Sequence, residues 1–367
     1  MSWDVALHPD ARSVTPCYRA AWAAWYERTD IYDVPGPFRY LPPFAVYVYA
    51  PFASLGEPAG SIAWRWALAV LMGSGLIRLV RALGVGRTWA APAALAMALP
   101  GAFSSLQSGQ ANLLLAATML HAAAALARQR PNEAAAWLAL AVIAKTIGVA
   151  MLALALVVHP RAALRATAGV VILLLLPFLH ADAPYVLAQY ESLARRMPTW
   201  TVHVEHRFSD LRAMLREGGL TMPDAAALAA RVLAGASAAG LCWWRVRARA
   251  APQRAFLLFA MAGIYLMLFN PMTEVNSYVI LAPVPAVLAA AILTRRPTAP
   301  GGWLLAGMCL LLSADNVSRR VLLATRNWLS PAIAVALLIW LCAVLLWSRR
   351  LPGLELAPSG TRVGPSR

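Results

Sequence analysis

Carboxylates are scarce in this chain: 16 Asp and Glu stand against 32 Lys and Arg in 367 residues, a formal charge of +16. Lysine is scarcer still. Lys145 is the only one, and every other basic residue of that set is arginine. The arginines form no long tract, which excludes the continuous basic surface of a nucleic-acid-binding protein. Four cysteines lack metal-ligand spacing, so neither a metal site nor a disulfide framework is implied. Cys242, Cys309 and Cys342 fall inside or beside apolar runs, where they pack as small hydrophobes. From Met1 to Trp25 the chain is polar and lacks the apolar core of a secretory signal. Internal repeats and low-complexity segments are absent as well.

What is present is oil. Hydrophobic residues make up 60% of the chain and charged ones 13%, with a mean hydropathy of +0.61. A soluble domain does not carry that composition. The pattern predicts an all-α integral membrane protein, a polytopic helical bundle. Apolar runs place spans at Pro43 to Leu55, Ile62 to Val80, Trp89 to Phe103, Ala111 to Ala127, Ala134 to Val158 and Ala166 to Leu179. Further runs are Ala225 to Trp244, Ala255 to Phe269, Tyr278 to Leu293, Trp303 to Ser313 and Pro331 to Trp347. At about 20 apolar residues per crossing, this amounts to about ten to eleven spans, some short or broken.

The arginines sit in short clusters between these runs, as a topology signal does. They include Arg78 with Arg81, Arg128 with Arg130, Arg161 with Arg165, Arg245 with Arg247, and Arg295 with Arg296. If Ala134 to Val158 crosses once, the clusters at Arg128 and Arg161 land on opposite faces. A broken hairpin re-entering at Lys145, Thr146 and Gly148 instead brings all the clusters to one face, and this reading is preferred. Irregular backbone at membrane depth must line a cavity or be buried in protein, so the break predicts a site nearby. The expected organisation is an extracytoplasmic segment 1–41, a membrane domain 42–348 with an outer loop at 180–224, and a cytoplasmic basic tail 349–367. Arg319, Arg320 and Arg326 violate the rule on the outer side. In the outer loop, Val186, Tyr190, Leu193 and Met197 share one helical face after Pro184, and Phe208, Leu211 and Leu215 make a second stripe behind a Ser209 cap. Both read as helices lying in the interface.

Most uncharged polar islands fall on the predicted outer side. WYERTDIYDVPGPFRYLPPF, from Trp25, combines Glu27, Asp30 and Asp33 with Tyr32, Arg39 and Tyr40. Carboxylates beside an arginine and aromatics suit a sugar and its phosphate, although an interfacial aromatic belt with capping acids needs no more than the same residues. SLQSGQANLLL places Gln107, Gln110 and Asn112 at the mouth of a span, where amides bind hydroxyls or simply cap a helix. Lys145 is an ionisable residue inside an apolar segment; either it holds a phosphate or its stem snorkels to the interface. Arg65 and Arg78 snorkel more readily, lying near the ends of their span. LFNPMTEVNSYVILAP groups Glu274, Asn276 and Tyr278, with capping at a helix start as the plainer role for Glu274. VHVEH, with His203, Glu205 and His206, has no third ligand and is not assigned to a metal.

In order, YRAAW and TDIYD, FRYLPPF and APFASL, GQANLLL, AVIAKTIG and NPMTEVNSYVILAP resemble glycosyltransferase family 87, from about Val14 to Pro285. That resemblance implies the GT-C architecture and a multi-pass protein of the bacterial inner membrane. It further implies a polyprenyl-phosphate-linked sugar donor and transfer of a hexose, such as mannose, to a glycan or glycolipid acceptor on the extracytoplasmic face. Gln110 and Asn112 match the family's GQxN; Arg39, Tyr40 and Pro43 match its aromatic and proline approach to a span; Lys145 matches its central lysine. Gly148 stands where a proline is common. Four positions before the tyrosine matching Tyr18, members carry an acid that serves as general base, and Val14 occupies that position here. The family's first transmembrane helix has no counterpart. The base then falls to another outer acid, Asp30 first, with Glu274 and Asp33 as the others. Substrate binding falls to Arg39, Tyr40, Gln110, Asn112, Lys145, Asn276 and Tyr278, within a bilayer and with no cofactor assigned. The rival expectations are a non-catalytic lipid-binding member of the same scaffold, or a transporter of lipid-linked solutes; a transporter predicts inverted repeats and polar residues at mid-membrane.

Overall fold

The computed structural model describes residues 13–36, 38–85, 88–198, 208–347 and 354. Within them the chain is helical throughout and has no strands. Five helices are long and apolar enough to cross a membrane: Ala59–Ala82, Pro160–Leu179, Asp224–Val246, Ala251–Phe269 and Leu329–Trp347. Five more are apolar but shorter, Phe44–Ala53, Ala111–Ala127, Pro131–Ala144, Thr146–Val158 and Pro283–Leu293. Every expected apolar run is therefore at least partly helical, while the expected total of crossings is larger than the number of full-length helices.

The Ala111–Ala127 helix is the axis of the bundle, since each of its residues is buried. A helix apolar on all sides belongs in the middle. Its alanines let neighbours approach closely, which favours association where lipid tails compete for contact with apolar side chains. The long helix Ala59–Ala82 packs along it on one side, Pro131–Ala144 and Ala251–Phe269 on others. Polar contacts mark the two ends of this packing. At one end Trp64 Nε1 donates to Gly109 O at 2.8 Å. At the other, Arg78 Nη1 lies 2.9 Å from His121 Nδ1 and its other amino group pairs with Glu133.

The chain turns back at Lys145. Pro131–Ala144 ends there in extended backbone, and after the 3-10 turn Thr146–Gly148 the helix Val149–Val158 returns. Arg130 and Pro131 at one foot of this hairpin share a cavity wall with Val158 and Arg161 at the other. At about 1.5 Å per residue the arms are roughly 21 and 15 Å long, too short for either to span about 30 Å of hydrocarbon alone. The turn is tight enough to dictate a residue. A Cβ on Gly148 would stand 2.5 Å from the Ala141 carbonyl oxygen, and the Gly148 N–H donates to Lys145 O at 2.8 Å. Proline could supply neither the space nor the donor, which accounts for the glycine at this turn.

Four expectations need correction. The run Pro43 to Leu55 does not pass through the bundle: Phe44 packs on Tyr18, and just beyond the run Glu57 pairs with Arg19 and Ser61 Oγ lies 2.7 Å from Thr15 Oγ1. Both ends thus stay with the N-terminal helix Thr15–Tyr26, as a ten-residue helix with a π-helical first part must. Arg65 does not snorkel. It is buried and donates to Gln107 O at 3.0 Å, Ser61 O at 2.9 Å and Ser13 Oγ at 2.8 Å. In the outer loop, Ala183–Arg196 is capped by Asp182 and buries Gln189 and Ser192 beside Val186 and Leu193. The two polar residues hold the 29–33 loop, so this helix is bound to protein on that face. The next helix, Leu211–Glu217, is capped by Asp210, whose Oδ1 accepts from Ala213 N at 2.7 Å, rather than by Ser209. The VHVEH stretch and almost all of the tail 349–367 lie outside the described residues.

Candidate active site

A cavity of about 740 Å³ opens at the Lys145 end of the bundle, within the size range of small-molecule sites. Its wall is assembled from all three polar islands. Arg39 and Tyr40 come from the N-terminal segment, Gln110 and Asn112 from the start of the axial helix, Lys145, Thr146 and Ile147 from the hairpin tip, and Glu274 and Ser277 from the loop after Ala251–Phe269. The sequence left open whether these islands meet; the fold brings them together.

One hydrogen-bonded chain runs across the cavity. Lys145 Nζ donates to Asn112 Oδ1 at 2.7 Å. The Asn112 amide nitrogen donates to Gln110 Oε1 at 2.8 Å, Asn276 Oδ1 at 3.2 Å and Ser277 Oγ at 3.1 Å. Asn276 Nδ2 in turn donates to Glu274 Oε2 at 2.9 Å. A lysine anchored to an amide in this way is fixed in position, and Arg39 and Glu274 line the same cavity wall. Glu274 precedes the 3-10 turn Val275–Ile280 and makes no capping bond to it. The plainer capping role is therefore not the one observed. Among the described residues lining the cavity, Glu274 is the only carboxylate, facing the two cations Arg39 and Lys145.

The geometry of the amide island depends on one glycine. Gly109 ends the short helix Phe103–Ser108 at φ +69°, where a Cβ would sit 2.8 Å from Thr15 Cγ2. That left-handed residue turns the chain so that Gln110 and Asn112 face the cavity at the start of the next helix. Tyr18 seals the joint: its hydroxyl accepts from Ala111 N at 3.3 Å and lies 2.8 Å from the Tyr40 hydroxyl. The ring is surrounded edge-on by Tyr40, Phe44, Tyr49 and Trp64. Burial pushes the Tyr40 phenol and the Cys17 thiol each up to about 12, and Tyr18 well above the usual tyrosine range. None of the three is ionised near neutral pH, so none serves there as a base or nucleophile.

Asp30 and Asp33 do not line the cavity. Asp30 accepts from Ser192 Oγ at 2.7 Å, from Arg196 at 3.3 Å and from Tyr32 N at 2.9 Å, and exposed Asp33 lies 3.6 Å from the same arginine. Both acids tie the first loop to the outer-loop helix. Tyr278 is buried with its hydroxyl donating to Ser209 O at 2.8 Å, also away from the cavity wall. Val14, where the resemblance leads an acid to be expected, does line the cavity. Residues the sequence reading did not single out for the site are Met197, Phe208 and Met272, all in the wall; Met272 Sδ accepts from Arg39 at 3.3 Å. In the sequence Met197 and Phe208 belong to apolar helical stripes, and Met272 is an apolar side chain within a polar loop.

The fold and cavity define an all-helical membrane protein with a cation-rich site where its polar islands converge. Residues 38–271 match the family model of glycosyltransferase family 87, and the chain belongs to that family. It is accordingly a membrane glycosyltransferase by family, working between a sugar donor and an acceptor. The matched segment takes in Arg39, Tyr40, Gln110, Asn112 and Lys145 and stops three residues short of Glu274. No curated protein matches the chain.

Proposed function

We propose that the protein transfers a hexose, such as mannose, from a polyprenyl-phosphate donor to a glycan or glycolipid acceptor, on the extracytoplasmic face of a bacterial inner membrane. The observation that carries this reading is the charge pattern of the cavity: among the described residues of its wall, one carboxylate stands opposite two cations, Arg39 and Lys145. Such a site has surplus positive charge for a phosphate and one group able to take a proton. Arg130, Arg161, Arg247 and Arg254 share one cavity wall at the far end of the bundle, which favours that end as cytoplasmic, and so the cavity at Lys145 as external.

In this reading the acceptor hydroxyl oxygen attacks the anomeric carbon and its proton passes to Glu274. The bond from that carbon to the phosphate oxygen breaks, and the polyprenyl phosphate leaves with its electron pair and negative charge. Lys145 and Arg39 stabilise that charge, while Gln110, Asn112 and Tyr40 orient the sugar. A single displacement inverts the anomeric centre. Glu274 ranks above Asp30 because Asp30 is committed to Ser192 and Arg196 outside the cavity. Val14 and Glu274 line the same cavity, so in this reading the base stands across the same site from the position where the family resemblance expects it.

The test is transfer by purified full-length protein in liposomes, supplied with radiolabelled polyprenyl-phosphate hexoses and a membrane acceptor extract. Labelled acceptor product supports the reading. Donor binding with no transfer from any donor would favour the non-catalytic alternative, to which Val14 gives its one specific support, and absence of both would sink the assignment. Movement of an intact lipid-linked sugar between leaflets would favour the transporter.

A further inference from the structure

A second cavity, of about 410 Å³, lies at the feet of the hairpin, an arm's length of roughly 21 Å from Lys145. Four arginines line it: Arg130, Arg161, Arg247 and Arg254. Among the described residues a single carboxylate is paired with any of them, Glu133 at 3.5 Å from Arg130, and Glu133 is shared with Arg78. Arg247 lies over the Trp243 ring at 4.4 Å, which holds its plane. Two polar atoms in the wall call for an occupant. His159 Nε2 and Arg254 Nε are both buried without a hydrogen-bond partner. Burial, with the Arg254 charge added, pushes the His159 imidazole down to about 4, so it is neutral near pH 7. Helices starting at Pro131 and Pro160 add the positive ends of their dipoles.

So much uncompensated positive charge in one concavity costs energy unless an anion shares it. Arginine forks match tetrahedral phosphate oxygens, and neutral His159 adds a donor. Leu126 and Val158 give the same cavity an apolar flank, as suits a headgroup whose chains continue into the bilayer. We propose that this cavity binds a phosphate group, that of an anionic phospholipid headgroup in the membrane, at a site separate from the sugar-transfer cavity. The shared chemistry would equally take free pyrophosphate, so the test must separate the two sources.

Full-length protein is titrated in neutral detergent, in one arm with phosphatidylglycerol read by native mass spectrometry, in the other with inorganic pyrophosphate read by thermal shift. Phosphatidylcholine is the lipid control. Arg161→Gln/Arg247→Gln, both at exposed positions, is compared with Arg295→Gln/Arg296→Gln, which removes equal charge outside the cavity. The expected result is phosphatidylglycerol binding weakened on the order of tenfold or more in the first double variant and less than about twofold in the second. Loss confined to the pyrophosphate arm would keep the phosphate site but overturn the lipid as its source. Equal effects of the two double variants on both probes would overturn the site. Should the first double variant not fold, single Arg161→Gln is read in the same two arms, with a loss of about threefold expected and no loss refuting the proposal.

Discussion

Replacing Glu274 by Gln removes the one carboxylate among the described residues of the cavity wall with little structural disturbance. The Glu274 Oε2 accepts from Asn276 at 2.9 Å, and an amide oxygen at the same place accepts the same bond. The Lys145 to Asn112 link, at 2.7 Å, is untouched. What is lost is the ability to take a proton, and general bases contribute about 10² to 10⁴ in rate. At about 1.36 kcal/mol per tenfold, that is roughly 3 to 5 kcal/mol of transition-state stabilisation. The charge effect has the opposite sign for donor binding, because Arg39 and Lys145 then face a phosphate with no competing carboxylate. The expected signature is therefore a split: kcat falls at least a hundredfold, while donor KM stays level or drops. Radiolabel transfer in liposomes at saturating and limiting donor separates the two parameters. Asp30→Asn serves as the counterpart and should keep kcat within a few-fold. Turnover of Glu274→Gln above about a third of wild type, or an equal fall in Asp30→Asn, would refute the assignment of the base.

Four other outcomes are expected. Val14→Glu placed in the Glu274→Gln background should restore transfer at least tenfold, measured in the same assay, since both positions face one cavity. Lys145→Met takes a cation from the cavity wall and leaves the Asn112 oxygen without that donor; at about 1.5 to 3 kcal/mol for a charged hydrogen bond to the donor phosphate, donor KM should rise tenfold or more. Gly109→Ala forces a left-handed residue and a Cβ at 2.8 Å from Thr15, so thermal unfolding in detergent should report a loss of more than about 1 kcal/mol. Asp210→Ala should cost about 1 kcal/mol by removing a helix cap. Burial holds the Asp210 carboxyl above the usual carboxylate range, against the opposing cap bond and arginines. Its ionised form thus opposes folding, and the stability gained by protonation should fade as pH rises through the raised value, a dependence absent in Asp210→Asn when thermal unfolding is followed across pH.

How much of this was legible in the sequence depends on what each residue's neighbours are. Lys145 could be read because a lone charge inside a long apolar run, with arginine clusters at both ends, is explained economically by a hairpin. Gln110 and Asn112 could be read as a site because polar side chains are rare in such a chain and so conspicuous. Asp30 could not be resolved: its partners Ser192 and Arg196 are more than 160 residues away, and only tertiary packing tells a structural acid from a chemical one. Arg65 failed for a related reason. Its position near a helix end suggested water, but Ser13 and Gln107 arrive from elsewhere to satisfy it. The short Phe44–Ala53 helix was taken for a crossing because hydropathy records what a segment tolerates and not where its ends are held.

The hairpin at Lys145 also fixes the parity of the chain. A segment that leaves and returns to one end adds nothing to the count of passages, so whatever follows keeps the orientation it would have had without it. Were the same apolar run threaded straight through, the loop bearing Glu274 would emerge beside the arginine clusters, and the carboxylate and the Gln110 to Asn112 amides would be separated by the whole depth of the bundle. The break that places one lysine at the cavity therefore also decides, some 130 residues later, on which side of the membrane the acid is found.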